Sequence, residues 1–259
     1  MNRRRFIGVA SSMAFLGAAA AAPAKKSIIE LRYLRMRNTP DNQMQCTSDF
    51  LKNAALPALK RAGAGPLGFF VPVIAPEAPF VLTVVSFPSL SAMETVREKQ
   101  AGDRDYIHAR DAYNAGPGLS YGRLETSLLR AFDAMPALEP PPLDEKRAPR
   151  IFELRMYESN NATTLARKVK MFNEGEAGIF KRLGMQPVFF GETIAGPKMP
   201  NLVYMLSFDD LAARDRLWKE FGADPEWQKL RSQPGYADAE IVSNISNSIL
   251  RPLPFSDIR

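Results

Sequence analysis

Apolar and polar residues alternate in two stretches, IIELRYLR at 28–35 and IFELRMYE at 151–158. Alternation with a period of two predicts a strand in each. Ile29, Leu31 and Tyr33 share one face of the first strand, and Phe152, Leu154 and Met156 share the matching face of the second. Glu30 and Arg32, like Glu153 and Arg155, then share the opposite face. After the second strand the period changes. Leu165, Val169, Phe172, Ile179 and Leu183 recur at helical spacing, which predicts a helix over 163–183 stopped by Gly184. Strands are expected at 187–194 and 202–208. Asp209 or Asp210 would cap a helix that sends Leu211, Leu217, Trp218 and Phe221 to the core. Asp224-Pro225 opens a further short helix by cap and fixed φ, and 239–250 supplies a last strand ended by Pro252 and Pro254.

The same order of elements is written earlier in the chain. Residues 60–130 align without a gap on 181–251 at a shift of 121, pairing Lys60-Arg61 with Lys181-Arg182, Gly63 with Gly184, Ser86-Phe87 with Ser207-Phe208 and Leu129-Arg130 with Leu250-Arg251. The two ELR strands match at a shift of 123, which implies a two-residue difference in the loop that follows. A period this long indicates duplication of a domain, not a solenoid repeat. The organisation read from it is a leader over 1–24, a first domain over 27–132, a semi-rigid linker over 133–149 that holds five prolines, and a second domain over 150–255. Each domain reads as strand, helix, strand, strand, helix, strand. The expected fold class is α+β: two tandem ferredoxin-like βαββαβ domains packed sheet to sheet as an intramolecular α/β barrel with the helices outside.

The string LVYMLSFDDLAARDRLWKEFGADPEWQKL at 202–230 resembles the signature of NIPSNAP domains: an apolar strand, an arginine-bearing helix, then Asp-Pro-x-Trp. IFELRMYES resembles that family's opening strand and GMQPVFFGETIAG its second strand. The likeness spans nearly all of 151–251 and is weaker across 28–130, where Asp103-Arg104-Asp105-Tyr106 stands in for Asp-Pro-x-Trp. The resemblance implies a fold of the dimeric α/β-barrel superfamily and supplies no assigned catalytic residues. That superfamily holds monooxygenases, haem-degrading enzymes and purely structural members, so the fold by analogy does not choose an activity.

Composition narrows the choices. The first residues, MNRRRFIGVASSMAFLGAAAAAPA, join a basic start to an apolar, alanine-rich run and small residues at its end, an export signal with a twin-arginine-like motif. The protein is therefore expected in the periplasm, with a mature chain that begins at Lys25 and carries no transmembrane segment if a signal peptidase cuts after Ala22-Pro23-Ala24; an uncleaved N-terminal anchor is the alternative. With 34 basic and 28 acidic residues the net charge is +6, and the leader's three arginines account for half of it. No Lys/Arg run interleaved with aromatics follows, which argues against a nucleic-acid partner. One cysteine, Cys46, allows no intrachain disulfide, and one Cys with one His makes a poor metal set.

The residues that could carry chemistry are few. Glu30, Arg32, Glu153 and Arg155 are expected to project between the two sheets, toward the barrel interior. There they serve either as a buried charge network that keeps the halves in register or, with Tyr157, as a polar floor for a small anionic or carbonyl-bearing ligand. His108, the sole histidine, would be the only axial ligand for haem, but its segment reads as a polar surface helix. No G-x-S-x-G, G-x-G-x-x-G or P-loop occurs. The expected function is binding of a small molecule or protein partner through the barrel, with no cofactor required and homo-oligomers allowed. The alternative is a cofactor-independent monooxygenase or a haem-handling enzyme.

Overall fold

The computed structural model describes residues 25–116, 118–144 and 148–259; the leader reading falls on residues outside these. The first half contributes strands β1 (Ile28–Arg35), β2 (Leu67–Ile74), β3 (Phe80–Phe87) and β4 (Arg123–Ala131). The second contributes β5 (Ile151–Glu158), β6 (Gln186–Ala195), β7 (Asn201–Phe208) and β8 (Asn244–Pro252). They close into one antiparallel barrel in the order β1-β3-β2-β8-β5-β7-β6-β4. Each half is a four-stranded sheet with its opening strand in the middle, and the seams β2–β8 and β4–β6 join half to half. At the second seam Gly191 lies opposite Ala131, and a Cβ there would sit 2.8 Å from the Cβ of Leu129, so the close approach requires glycine.

Helices cover the outside. In the first half α1 (Gln43–Phe50) runs through a π-helical segment, Leu51–Ala55, into α2 (Leu56–Ala62); α3 (Leu90–Ala101) and α4 (Arg104–Asn114) follow β3. In the second, α5 (Ala162–Met171) runs through Phe172–Glu176, again π-helical, into α6 (Ala177–Arg182), and α7 (Leu211–Ala223), α8 (Pro225–Arg231) and α9 (Asp238–Ile241) follow β7. The two π-helical segments begin 121 residues apart, the spacing of the sequence repeat. Gly63 and Gly184, the same distance apart, end the long helices at φ values of +93° and +80° that favour glycine. Asp103 caps α4 by accepting from Tyr106 N, as Asp224 caps α8 by accepting from Glu226 N and Trp227 N.

Three apolar layers result. Ile29, Leu31, Phe152, Leu154, Val203 and Met205 fill the barrel between the sheets. Leu59, Phe69, Val81, Val85 and Phe87 lie under the first-half helices. Phe172, Phe180, Phe190, Tyr204, Leu217 and Phe221 lie under those of the second half. The linker is no free spacer, because Met135 and Leu138 are buried and Glu139 N donates to Val188 O. Two local expectations are corrected. Leu211 is exposed, since it is the first residue after the Asp210 cap and points off the helix end. The last strand starts at Asn244, because Asp238–Ile241 forms a helical turn first.

Candidate functional site

The four charged residues of the ELR strands face the helices, not the barrel interior. The apolar sets of β1 and β5 fill the barrel instead. The reason lies in closure: β1 and β5 are covered on both faces, so an apolar face does not say which side it meets. The space between the sheets is filled by strand side chains together with Leu138 and Ile258, whereas the helices bring arginines and an indole to the carboxylates. Glu153 is fully buried and accepts from Arg155 Nη1 (2.9 Å), Arg214 Nε (2.9 Å) and Nη2 (2.7 Å), Trp218 Nε1 (2.7 Å) and Asn247 Nδ2 (3.0 Å). Burial works to raise its pKa, but the bonds from Arg214 and Trp218 and the charge of Arg155 outweigh it and hold the carboxyl below its usual range. Glu30, also buried, accepts from Arg32 Nη2 (2.9 Å) and closely from Arg97 Nη2. The two clusters belong to separate halves and do not converge.

The halves differ in what surrounds these clusters. Beneath the second-half helices the space is filled. Tyr157, Phe172, Phe180, Phe190 and Tyr204 make a continuous set of ring contacts, with Phe180 edge-on to Trp218 and 4.7 Å from Phe221. Tyr157 Oη accepts from Arg155 Nε (3.3 Å) and Nη2 (3.1 Å) and from Tyr204 Oη (2.8 Å). Lys168 and Glu176, both buried, pair at 3.1 Å; burial pulls the lysine pKa down, but Glu176 and Asp238 beside it leave it raised.

Beneath the first-half helices lies a pocket of about 160 Å3. Glu30, Arg32, Leu34, Phe69, Thr83 and Val85 form its floor on β1, β2 and β3, and Leu51, Ala55, Leu59, Arg97 and Gln100 its roof. Tyr106, Arg110, Tyr113 and Asn114 of α4, with Tyr121 and Leu124, form the side toward solvent. Phe50 and Tyr113 stack with their rings 4.5 Å apart and nearly parallel, and separate this pocket from an outer groove of about 340 Å3 that Cys46 and Ser120 line. Arg97 also donates to Gln100 Oε1 (2.9 Å); burial lowers its pKa against the pull of Glu30. Two guanidiniums thus share one carboxylate, and the buried Nε of Arg32 has no hydrogen-bond partner.

Corresponding positions explain the difference. Where the second half has Tyr157, Phe172, Phe180, Tyr204, Trp218 and Phe221, the first has Leu34, Leu51, Leu59, Thr83, Arg97 and Gln100. Each replacement is smaller or polar, and together they open the pocket. The signal lies in the repeat itself, at the positions where the aligned copies disagree, and not in the shared ELR. A second cavity of about 440 Å3 lies at one end of the barrel, between Leu31, Tyr33, Phe80, Leu154 and Met156, with Arg35, Glu125 and Lys198 at its rim. Burial pushes the Tyr33 hydroxyl up to about 12.

His108 is exposed on α4 and lines none of these cavities. A haemin titration followed at the Soret band is therefore expected to give the same spectrum for the wild type and His108→Ala; a loss of signal in the variant would show ligation by this histidine. Among the described residues no group of three or more His, Cys, Asp and Glu side chains is placed to hold a metal ion, and no helix is long and apolar enough to cross a membrane.

The whole barrel has counterparts among solved structures. A candidate monooxygenase from Fusobacterium nucleatum is 7% identical with a TM-score of 0.59, covering 88% of this chain and 93% of its own. A candidate monooxygenase from Lactobacillus acidophilus is 11% identical with a TM-score of 0.57, covering 88% and 94%. At these identities the likeness is one of fold. A NIPSNAP family protein of unknown function from Agrobacterium tumefaciens is 21% identical over 42% of this chain and 94% of its own, with a TM-score of 0.38. No curated protein matches the sequence. Residues 152–257, which make up the second half of this α/β barrel, match the family model for NIPSNAP.

Proposed function

We propose that the protein binds a small molecule in the pocket between the sheet and helices of its first half, while the second half serves as its solid counterpart. The observation that carries this reading is the unpartnered Nε of Arg32 on the pocket floor. A buried donor without a partner costs on the order of 1–3 kcal/mol, and more when charged. A ligand acceptor would remove that cost. The pocket supports the reading in three further ways: it is concave, it is lined by aromatic and aliphatic side chains, and its few polar groups converge from β1, α3 and α4.

The test is ligand-observed NMR with a set of fragment-sized carboxylates, amines and neutral compounds. The wild type is expected to retain a subset of them. Arg32→Gln, which leaves Arg97 to pair with Glu30, is expected to weaken that subset about tenfold, the scale of one charge-assisted hydrogen bond. Equal retention by a variant that melts cooperatively would overturn the assignment. Barrels of the same shape named as candidate monooxygenases favour a second reading, in which the bound molecule is also oxygenated. Mass spectrometry of the retained fragments after incubation in air separates the two: unchanged mass supports binding alone, and a gain of oxygen supports the enzyme.

A further inference from the structure

The second half contains a built version of what the first half lacks. Arg155 and Arg32 occupy the same position of their strands, each opposite the same position of the neighbouring strand, Tyr204 for the one and Thr83 for the other. In the second half both free edges of the guanidinium are used. Nη1 donates to Glu153 Oε1 at 2.9 Å, while Nε and Nη2 converge on the Tyr157 hydroxyl at 3.3 and 3.1 Å. That oxygen accepts a third bond from Tyr204. A phenol ring with its oxygen against the arginine is thus the native filling of this place in the fold.

In the first half the arginine, its carboxylate and the strand register are kept, and the phenol is absent. Leu34 stands where Tyr157 would be and offers no acceptor, and Thr83 stands where Tyr204 would be. Arg32 turns Nη2, where Arg155 uses Nη1, to its carboxylate, donating to Glu30 at 2.9 Å, and its Nε has no partner. The space of about 160 Å3 is close to that of an apolar cavity which admits benzene, so it fits one ring and not several fused ones. Phe50, Phe69, Tyr106 and Tyr113 line it, which suits a planar ring. Arg32 and Arg97 share the single carboxylate of Glu30, so the floor is short of negative charge. An anion supplies that charge where a neutral phenol would not, and a cation would meet the two guanidiniums.

We infer that the first-half pocket takes a single-ring aromatic oxyanion, a carboxylate or a phenolate, whose charged oxygen accepts from Arg32 Nε in the place that the Tyr157 hydroxyl fills on Arg155. This rests on the pocket being a ligand site, and it adds the class of ligand. It also makes the pocket a counterpart of the protein's own core in which the Tyr157 phenol is among the side chains replaced. Putting a phenol back at position 34 should fill the place beside Arg32.

Isothermal titration calorimetry on the full-length protein at pH 8 tests this with four probes: benzoate, 4-nitrophenolate, acetate and benzylamine. Benzoate or 4-nitrophenolate is expected to bind, whichever is tighter showing whether the native oxyanion is a carboxylate or a phenolate, with acetate and benzylamine at least tenfold weaker. Leu34→Tyr, which rebuilds the second-half arrangement, is expected to melt no lower than the wild type and to weaken the tighter aromatic anion at least tenfold. Arg32→Lys keeps the charge but removes the Nε donor, and is expected to weaken it similarly; this variant decides the matter if Leu34→Tyr does not fold. Undiminished affinity in a cooperatively melting Leu34→Tyr or Arg32→Lys overturns the inference. Acetate or benzylamine binding as well as benzoate, while still sensitive to Arg32→Gln, overturns the aromatic-oxyanion assignment and leaves the pocket a ligand site. No binding by any probe or fragment overturns both.

Discussion

Glu153→Ala is expected to lower the unfolding free energy by about 3–5 kcal/mol, the range for removing one partner of a buried ion pair. The carboxylate receives five hydrogen bonds from four side chains on β5, α7 and β8. Its loss leaves the largely buried Arg155 guanidinium with the Tyr157 hydroxyl but no counter-charge and the Trp218 indole without its acceptor, and opens a void under α7. For a chain of this size the melting point would fall by roughly 10 °C. Urea denaturation checks the magnitude. Glu153→Gln, which keeps the shape and one acceptor, should cost less and leave ligand binding in the first half unchanged, because the two clusters lie in different halves.

The same residue sets an acid dependence. The folded-state pKa of Glu153 is depressed, chiefly because Arg214, Trp218 and Arg155 overcome the opposing effect of burial. A depressed carboxyl contributes stability that is fully present above the unfolded value, about 4.3 for glutamate, and is lost as pH falls through the folded value. Wild-type stability should therefore decline with acid below about pH 4.3. Glu153→Gln should lack that part of the decline; parallel curves for the two proteins would show that the carboxylate is not held in this way.

Phe172→Ala is expected to cost a further comparable amount, about 3–5 kcal/mol, by the loss of a large buried ring and the cavity left behind. Phe172 is fully buried and meets the rings of Phe132, Tyr157, Phe180, Phe190 and Tyr204. It opens the π-helical segment of the second half, and its counterpart in the first half is Leu51 on the pocket roof. Leu51→Ala should cost less, because part of the space around that side chain is already empty and little packing is lost. Thermal melts of the two variants side by side check the difference. Equal costs would mean that the first-half pocket is as tightly filled as the second-half core.

The architecture was legible because the pattern that carries it is redundant. Gly63 with Gly184, Ser86-Phe87 with Ser207-Phe208 and the two ELR strands each report the same duplicated unit, and a sheet that leaves one face bare needs a second sheet to cover it. The facing of the ELR charges was not legible. In a strand buried on both sides, alternation separates two faces without saying which one meets helices. Only the tertiary partners decide, and here Arg97, Arg214 and Trp218 draw Glu30 and Glu153 outward. The pocket was hidden for a different reason. It is made by differences between the copies, Leu34 against Tyr157 and Thr83 against Tyr204, and identity between repeats is what the eye collects. Arg97, which aligns with Trp218, shows how far such a difference reaches: an indole that completes one core becomes a cation at the edge of a cavity.

The two seams that join β2 to β8 and β4 to β6 have a consequence for how such a barrel can change. A barrel assembled from two identical chains carries every substitution twice, so enlarging one cavity enlarges the other and halves the packed material that holds the assembly together. With both sheets on one chain, the exchange of rings for Leu34, Leu51, Leu59 and Thr83 weakens one side only, and the rings of the other side remain as ballast. Covalent joining lets this barrel keep a dense half and a hollow half at the same time.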